Sequence, residues 1–205
     1  MSMKVIGLTG GIATGKSTFS SMLRSMGANV ADADAVSRAL TAEGGAALPA
    51  IRDRFGGDVF VKDEVGGIGQ LNRAALAEIV FGDESARRAL ELIIHPLVIR
   101  ECSARLLQFE QAGAKAAILE APLLIESGMD SMCCEVWLTY APEPVQLARL
   151  TQRDGLTVAQ AQARVASQMP FHEKAKRADV ILPMVGPRVG ICAMARRQWA
   201  RVTGV

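Results

Sequence analysis

The 205-residue chain is half apolar but only 4% aromatic, carries a formal net charge of +2 and has four cysteines. That length suits one compact domain whose core is built from Ala, Val, Leu, Ile and Met. No run of 18 apolar residues is present, so no bilayer span is expected; the N-terminus lacks a secretion-signal pattern, and four cysteines without a C-x-x-C pair make zinc and redox chemistry poor readings and a reducing cytoplasm the expected setting.

The first element is Lys4-Val5-Ile6-Gly7-Leu8-Thr9, apolar enough for a strand buried on both faces. Gly10-Gly11-Ile12-Ala13-Thr14-Gly15-Lys16-Ser17 follows and reads G-x-x-x-x-G-K-S, a phosphate-cradling loop. Thr18 to Met26 then sets Phe19, Met22, Leu23 and Met26 at helical spacing. Strand, glycine loop and helix form the context the motif requires. Gly11, Ile12, Ala13, Thr14, Gly15, Lys16, Ser17 and Thr18 are therefore the candidate nucleotide-binding residues. Lys16 would reach the β- and γ-phosphates and Ser17 would hold Mg²⁺. The competing reading is an ordinary glycine turn before a helix.

Gly27 is placed to end that helix in a left-handed cap. A short strand over 28–31 delivers Asp32-Ala33-Asp34 at its carboxyl end, where ligands of open parallel sheets sit. If the segment is extended, a spacing of two points both acids the same way, suited to metal or proton work. If Asp34 starts the next helix, it is instead an N-cap.

Residues 35–114 read as mainly helical, over 35–42, 46–55, 72–81 and 84–111, broken by Gly44-Gly45, Gly56-Gly57 and Gly66-Gly67. The tract 56–69 reads as a loop or small hairpin, and His95-Pro96 as an interruption of the longest helical pattern. About 80 residues exceed what one crossover helix needs, so this is read as a helical insertion covering a second substrate. A third buried strand spans 116–121, placing Glu120 and Glu126 near its carboxyl end, and a fourth spans 135–140. Pro142 and Pro144 open a helix with Gln146, Arg149 and Arg153 on one face, stopped by Asp154-Gly155. The next helix, 157–169, carries Arg164 and Gln168. The pair suggests a lid over a triphosphate; the alternative is that its arginines pair with surface acids. A short last strand over 179–182 and a helix over 187–201 close the chain. Five strands alternating with helices imply a doubly wound parallel sheet. From Arg149 onward ten Lys and Arg face three acids, a basic balance that suits a solvated face, nucleic acid or a nucleotide.

Taken in order, these motifs resemble bacterial dephospho-coenzyme A kinases over nearly the whole chain. The resemblance rests on G-L-T-G-G-I-A-T-G-K-S-T at 7–18, Asp32-Ala33-Asp34, L-N-R-A-A-L at 71–76 with Val80-Phe81, and His95-Pro96. It continues in P-L-L-I-E at 122–126, R-L-T-Q-R-D-G-L at 149–156, Arg164, Gln168-Met169-Pro170, Lys174 and Ala178-Asp179. The family usually has Gly at Ala13, where a methyl is accommodated if φ is negative. It also shows V-I-x-N-x-G near the adenine, where Ile181 to Gly186 lacks the Asn. The position of Glu120 varies in the family, so no metal role is carried onto it.

The resemblance implies a P-loop NTPase-like α/β fold. It consists of a core (1–34 and 115–205), a helical substrate-binding insertion (35–114) and a helical lid over about 149–169. It implies ATP- and Mg²⁺-dependent phosphorylation of the 3′-hydroxyl of dephospho-coenzyme A in the cytoplasm. No nucleic-acid or membrane partner is expected, and the chain would be a monomer or weak homo-oligomer. Lys16, Asp34, Arg149 and Arg153 would be catalytic, with Asp34 accepting the hydroxyl proton. Asp34, Arg73 and His95 would hold the acceptor, and Ser17 and Asp32 the metal. A His beside Pro on an apolar helix is usually a packed, hydrogen-bonded histidine, which is the competing reading of His95. Two rivals remain: another nucleoside or nucleoside-monophosphate kinase of this fold, and a nucleotide-switched binding module, although the N-K-x-D stretch of guanine-selective switches is absent.

Overall fold

The computed structural model describes residues 2–61 and 69–204. Its strands are β1 (Lys4–Gly10), β2 (Asn29–Asp32), β3 (Ala116–Glu120), β4 (Glu135–Tyr140) and β5 (Val180–Pro183). They form one sheet in the order β2-β3-β1-β4-β5 with every neighbouring pair parallel. Helices are α1 (Lys16–Ser25), α2 (Ala33–Leu40), α3 (Leu48–Phe55), α4 (Arg73–Gly82), α5 (Glu84–Gln111), α6 (Glu143–Asp154), α7 (Val158–Ala166), α8 (Phe171–Ala175) and α9 (Arg188–Thr203). The expected doubly wound parallel sheet is the one observed.

The chain divides into two compact units, 1–32 with 105–205 and 33–104. In the first, β3 is buried along its whole length, as its run of Ala, Ile and Leu requires. Phe19, Met22 and Leu23 of α1 and Ala195 and Val202 of α9 pack over Ile6, Leu8, Ile118 and Trp137. Phe19 meets the Trp137 ring edge-on at 6.2 Å. Gly27, at φ 85°, ends α1 as expected: its N–H reaches the Arg24 carbonyl and the Ala28 N–H the Leu23 carbonyl.

The second unit has its own core of Leu48, Ile51, Val59, Phe60, Leu71 and Leu76. Phe60 and Leu71 form an antiparallel bridge, with Val61 N–H on the Gln70 carbonyl, so the described residues on either side of 62–68 run antiparallel; Gly66-Gly67 lies outside the described residues. Asn72 is not helical but caps α4, accepting the Ala75 N–H at 3.1 Å.

Two expectations need correction here. His95-Pro96 does not interrupt the long helix: α5 runs through Pro96. Proline removes one N–H, that facing the Leu92 carbonyl, and Leu92 is exposed, so water can satisfy the freed group. The second helix of the lid pair stops at Ala166 rather than 169. Pro170, which caps the short α8, biases Met169 away from helical angles, and this leaves Gln168 off the helix.

Candidate active site

Parallel register brings the carboxyl ends of four strands together. Leu8 and Asp32 both stand level with Glu120, and Gly10 with Thr139. The phosphate loop springs from β1 at that level. Gly10 has no room for a side chain, since a Cβ there would lie 1.9 Å from Thr139 Oγ1. Thr139 Oγ1 and Thr14 Oγ1 are 2.8 Å apart, and Thr14 Oγ1 donates to the Gly11 carbonyl at 2.7 Å. These hydroxyls fasten the loop's base to β4.

Gly15 sits at φ 101° as the N-cap of α1, and no side chain caps this helix. The first-turn N–H groups of α1, with the helix dipole behind them, thus form an anion site of the kind a polyphosphate fits. Ser17 and Thr18 are exposed at that opening. Lys16 Nζ lies beside it and donates to Glu120 Oε1 at 2.8 Å. Glu120, buried apart from 4% of its surface, accepts from Ser20 Oγ at 2.5 Å through its other oxygen. Arg24 stands 3.7 Å from Glu120 and 3.9 Å from Asp32. Two cations and a hydroxyl thus compensate a carboxylate that could not be buried alone.

Among the described residues no group of three or more His, Cys, Asp and Glu could hold a metal. Mg²⁺ suits this site nonetheless: it commonly binds through one or two protein oxygens with substrate phosphates and water, and Ser17 in the first turn of α1 and Asp32 at the end of β2 offer hard oxygens.

Ala13 contradicts the expectation of a negative φ. Its φ is 57°, the one positive value at a non-glycine among the described residues. The Thr14 N–H reaches the Gly11 carbonyl at 3.3 Å, so residues 11–14 close a β-turn with Ala13 in the position that favours Gly or Asn. A methyl there costs about 1 kcal/mol or somewhat more. Outside contacts hold the turn: Gln168 Oε1 accepts the Ile12 N–H at 2.7 Å, and Arg149 Nη1 donates to the Ala13 carbonyl at 2.9 Å. Arg149 Nη2 donates to the Met184 carbonyl at 2.7 Å. Arg149 is therefore at the loop, as its helical spacing suggests. Arg153 is not: it is exposed and binds Asp154 through two hydrogen bonds at 2.7 and 2.9 Å. That contact holds the Asp154 carboxyl below its usual range.

The extended-segment argument for Asp32 and Asp34 fails. The strand ends at Asp32 and α2 begins at Ala33, which puts Asp34 in a helical first turn, so period-two alternation does not apply. Within the second unit, Arg73 Nη2 donates to Thr41 Oγ1 at 2.8 Å and the Thr41 carbonyl at 3.2 Å, joining α4 to the end of α2. His95 is half-buried on α5. Sequence reasoning set Glu120 aside and gave Gln168 no role. An acid ending an otherwise apolar buried strand was the available signal for the first; for the second it was the Gln168-Met169-Pro170 motif, which does not say that its partner is Ile12, 156 residues away.

A parallel sheet with a left-handed glycine, an uncapped helix start and a lysine at its strand ends defines a nucleotide-binding kinase of the phosphate-loop class, a fold that works with nucleotides and Mg²⁺. The dephospho-CoA kinase family model matches residues 4–185. The dephospho-CoA kinase of Anaeromyxobacter dehalogenans is 45% identical, covering 98% of this chain and 93% of its own. That of Symbiobacterium thermophilum is 43% identical, covering 98% and 82%. The solved dephospho-CoA kinase of Campylobacter jejuni superposes with a TM-score of 0.73 at 27% identity, covering 98% and 97% of the two chains. Shikimate kinase from Acinetobacter baumannii shares the fold alone, with a TM-score of 0.55 at 16% identity, covering 98% and 94%. The chain belongs to the dephospho-CoA kinase family and is an enzyme, a kinase.

Proposed function

We propose the following division of labour for the family's reaction, the ATP-dependent phosphorylation of dephospho-coenzyme A to coenzyme A. The observation that carries it is the uncapped, glycine-led start of α1 with Lys16 beside it. Gly11 to Thr18 hold the phosphates of ATP through main-chain N–H groups. Lys16 exchanges the Glu120 carboxylate for the β- and γ-phosphates and neutralises charge as the γ-phosphoryl moves. Ser17 and Asp32 would hold Mg²⁺, which would draw charge from the transferring phosphate.

Asp34 accepts the proton of the acceptor's 3′-hydroxyl. Two residues beyond Asp32, its Cα can lie no more than about 7–8 Å from the strand end. Arg149, already at the loop, and Arg153, on exchanging Asp154 for phosphate, close over the β- and γ-phosphates. Arg73 and His95 serve the acceptor. The protein acts without a nucleic-acid or membrane partner, in the cytoplasm, as a monomer or weak homo-oligomer.

The test is a coupled ADP-release assay with dephospho-coenzyme A, AMP, adenosine and uridine as acceptors. Strong release with the first alone is expected, and only weak hydrolysis without acceptor, because closure excludes water. Equal release with AMP or a nucleoside would assign the chain to another kinase of this fold.

A further inference from the structure

We propose that Gln168 is a positioning residue of the phosphate loop, acting with Arg149 to hold the Gly11–Thr14 turn in a conformation that Ala13 by itself disfavours. The proposal deepens the reading above and rests on it. Gln168 and Arg149 come from different parts of the α6–α7 pair: Arg149 from the middle of α6, and Gln168 from the link between α7 and α8. They grip adjacent residues at the crown of the loop, Gln168 the N–H of Ile12 at 2.7 Å and Arg149 the carbonyl of Ala13 at 2.9 Å. Arg149 is itself anchored, through the Met184 carbonyl at 2.7 Å, to the segment that packs on Gly15.

The turn closes by a bond of 3.3 Å between Thr14 N–H and the Gly11 carbonyl, which is long for such a bond. Ala13 at φ 57° pulls toward the right-handed region. Rotation of Ala13 out of its left-handed angle would re-aim the Thr14 and Gly15 amides that follow. The Gln168 carbonyl opposes this by fixing the preceding N–H. Glycine at position 13 takes the left-handed angle at less cost, so the turn should lean on Gln168 most heavily with the alanine of this chain. Side chains from α6 and from the link after α7 thus shape the loop from outside it.

The experiment measures ADP affinity by calorimetry and steady-state kinetics for Gln168→Leu and Gln168→Met, each in the wild-type and the Ala13→Gly background. Loss of the acceptor should weaken ADP binding and raise the KM for ATP by about 5- to 100-fold. The KM for dephospho-coenzyme A should be little changed. In the Ala13→Gly background the same substitutions should cost less than about 3-fold, because glycine takes the left-handed angle unaided. ADP affinity within twofold of wild type in folded Gln168 variants, checked by circular dichroism, would overturn the proposal. So would an undiminished loss in the glycine background, which would make Gln168 independent of the turn. Absence of ADP binding by the wild-type protein would instead overturn the nucleotide reading itself.

Discussion

Lys16 and Glu120 form a pair that a nucleotide has to rearrange. Their 2.8 Å contact, with the Ser20 hydroxyl on the second carboxylate oxygen, holds the lysine beside the opening. A phosphate that takes the lysine leaves Glu120 with Ser20 and Arg24, so the carboxylate is not stranded. Asp34 carries the proton-transfer proposal. Replacing it with Asn should lower kcat by about 10²- to 10⁴-fold while ADP affinity by calorimetry stays near wild type; unchanged turnover would remove it from the mechanism. Two adjacent cysteines should behave differently. Burial, then the neighbouring Cys134 and Asp130, push the Cys133 thiol up to about 12, and its sulfur packs against Gly7, whereas Cys134 is exposed. Iodoacetamide near neutral pH should therefore label Cys134 well before Cys133, read by peptide mass spectrometry.

At the scale of elements, the lid helices owe their form to local chemistry. Gly155 at φ 65° ends α6, and Thr157 and Gln160 form a capping box at the start of α7, with bonds of 3.0 and 3.2 Å. Thr157→Ala should destabilise the folded chain by about 1 kcal/mol in urea unfolding. Within the first unit α1 is different in kind. Its apolar face, with Phe19 fully buried against Trp137, ties the phosphate loop's helix to the sheet, so the anion site stands on a rigid support.

At the scale of the whole molecule, acid stability should depend on contacts that bind the last helix to the sheet. Burial alone would raise the pKa of Glu135, but hydrogen bonds from Arg201 of α9 and Trp137 outweigh it and hold the carboxyl below its ordinary value. A depressed folded pKa gives stability that is complete above the unfolded-state value and is lost as pH falls through the folded one. The lead of the wild type over Glu135→Gln in unfolding free energy should therefore be full near about pH 6 and shrink toward about pH 3. A constant lead would show that the Arg201 contact does not survive in solution.

Much of this was legible because it is local. The glycine loop, the apolar strands, Gly27, Gly155 and the 84–111 helix are written in short-range spacing and backbone preference, which act before any distant contact forms. The ordered motifs also pointed to the family, since phosphate chemistry needs particular residues at particular separations. Tertiary structure decided the rest. Chain spacing carries no information on which side chain crosses 104 residues to meet Lys16 or 156 to meet Ile12, and the sign of φ at Ala13 follows from the turn that those contacts enforce. Asp34 lies in a helix rather than an extended segment because β2 ends at Asp32, two residues short of where an alternating pattern would have to run. Backbone and composition thus determined the elements and the kind of chemistry, and packing chose the partners.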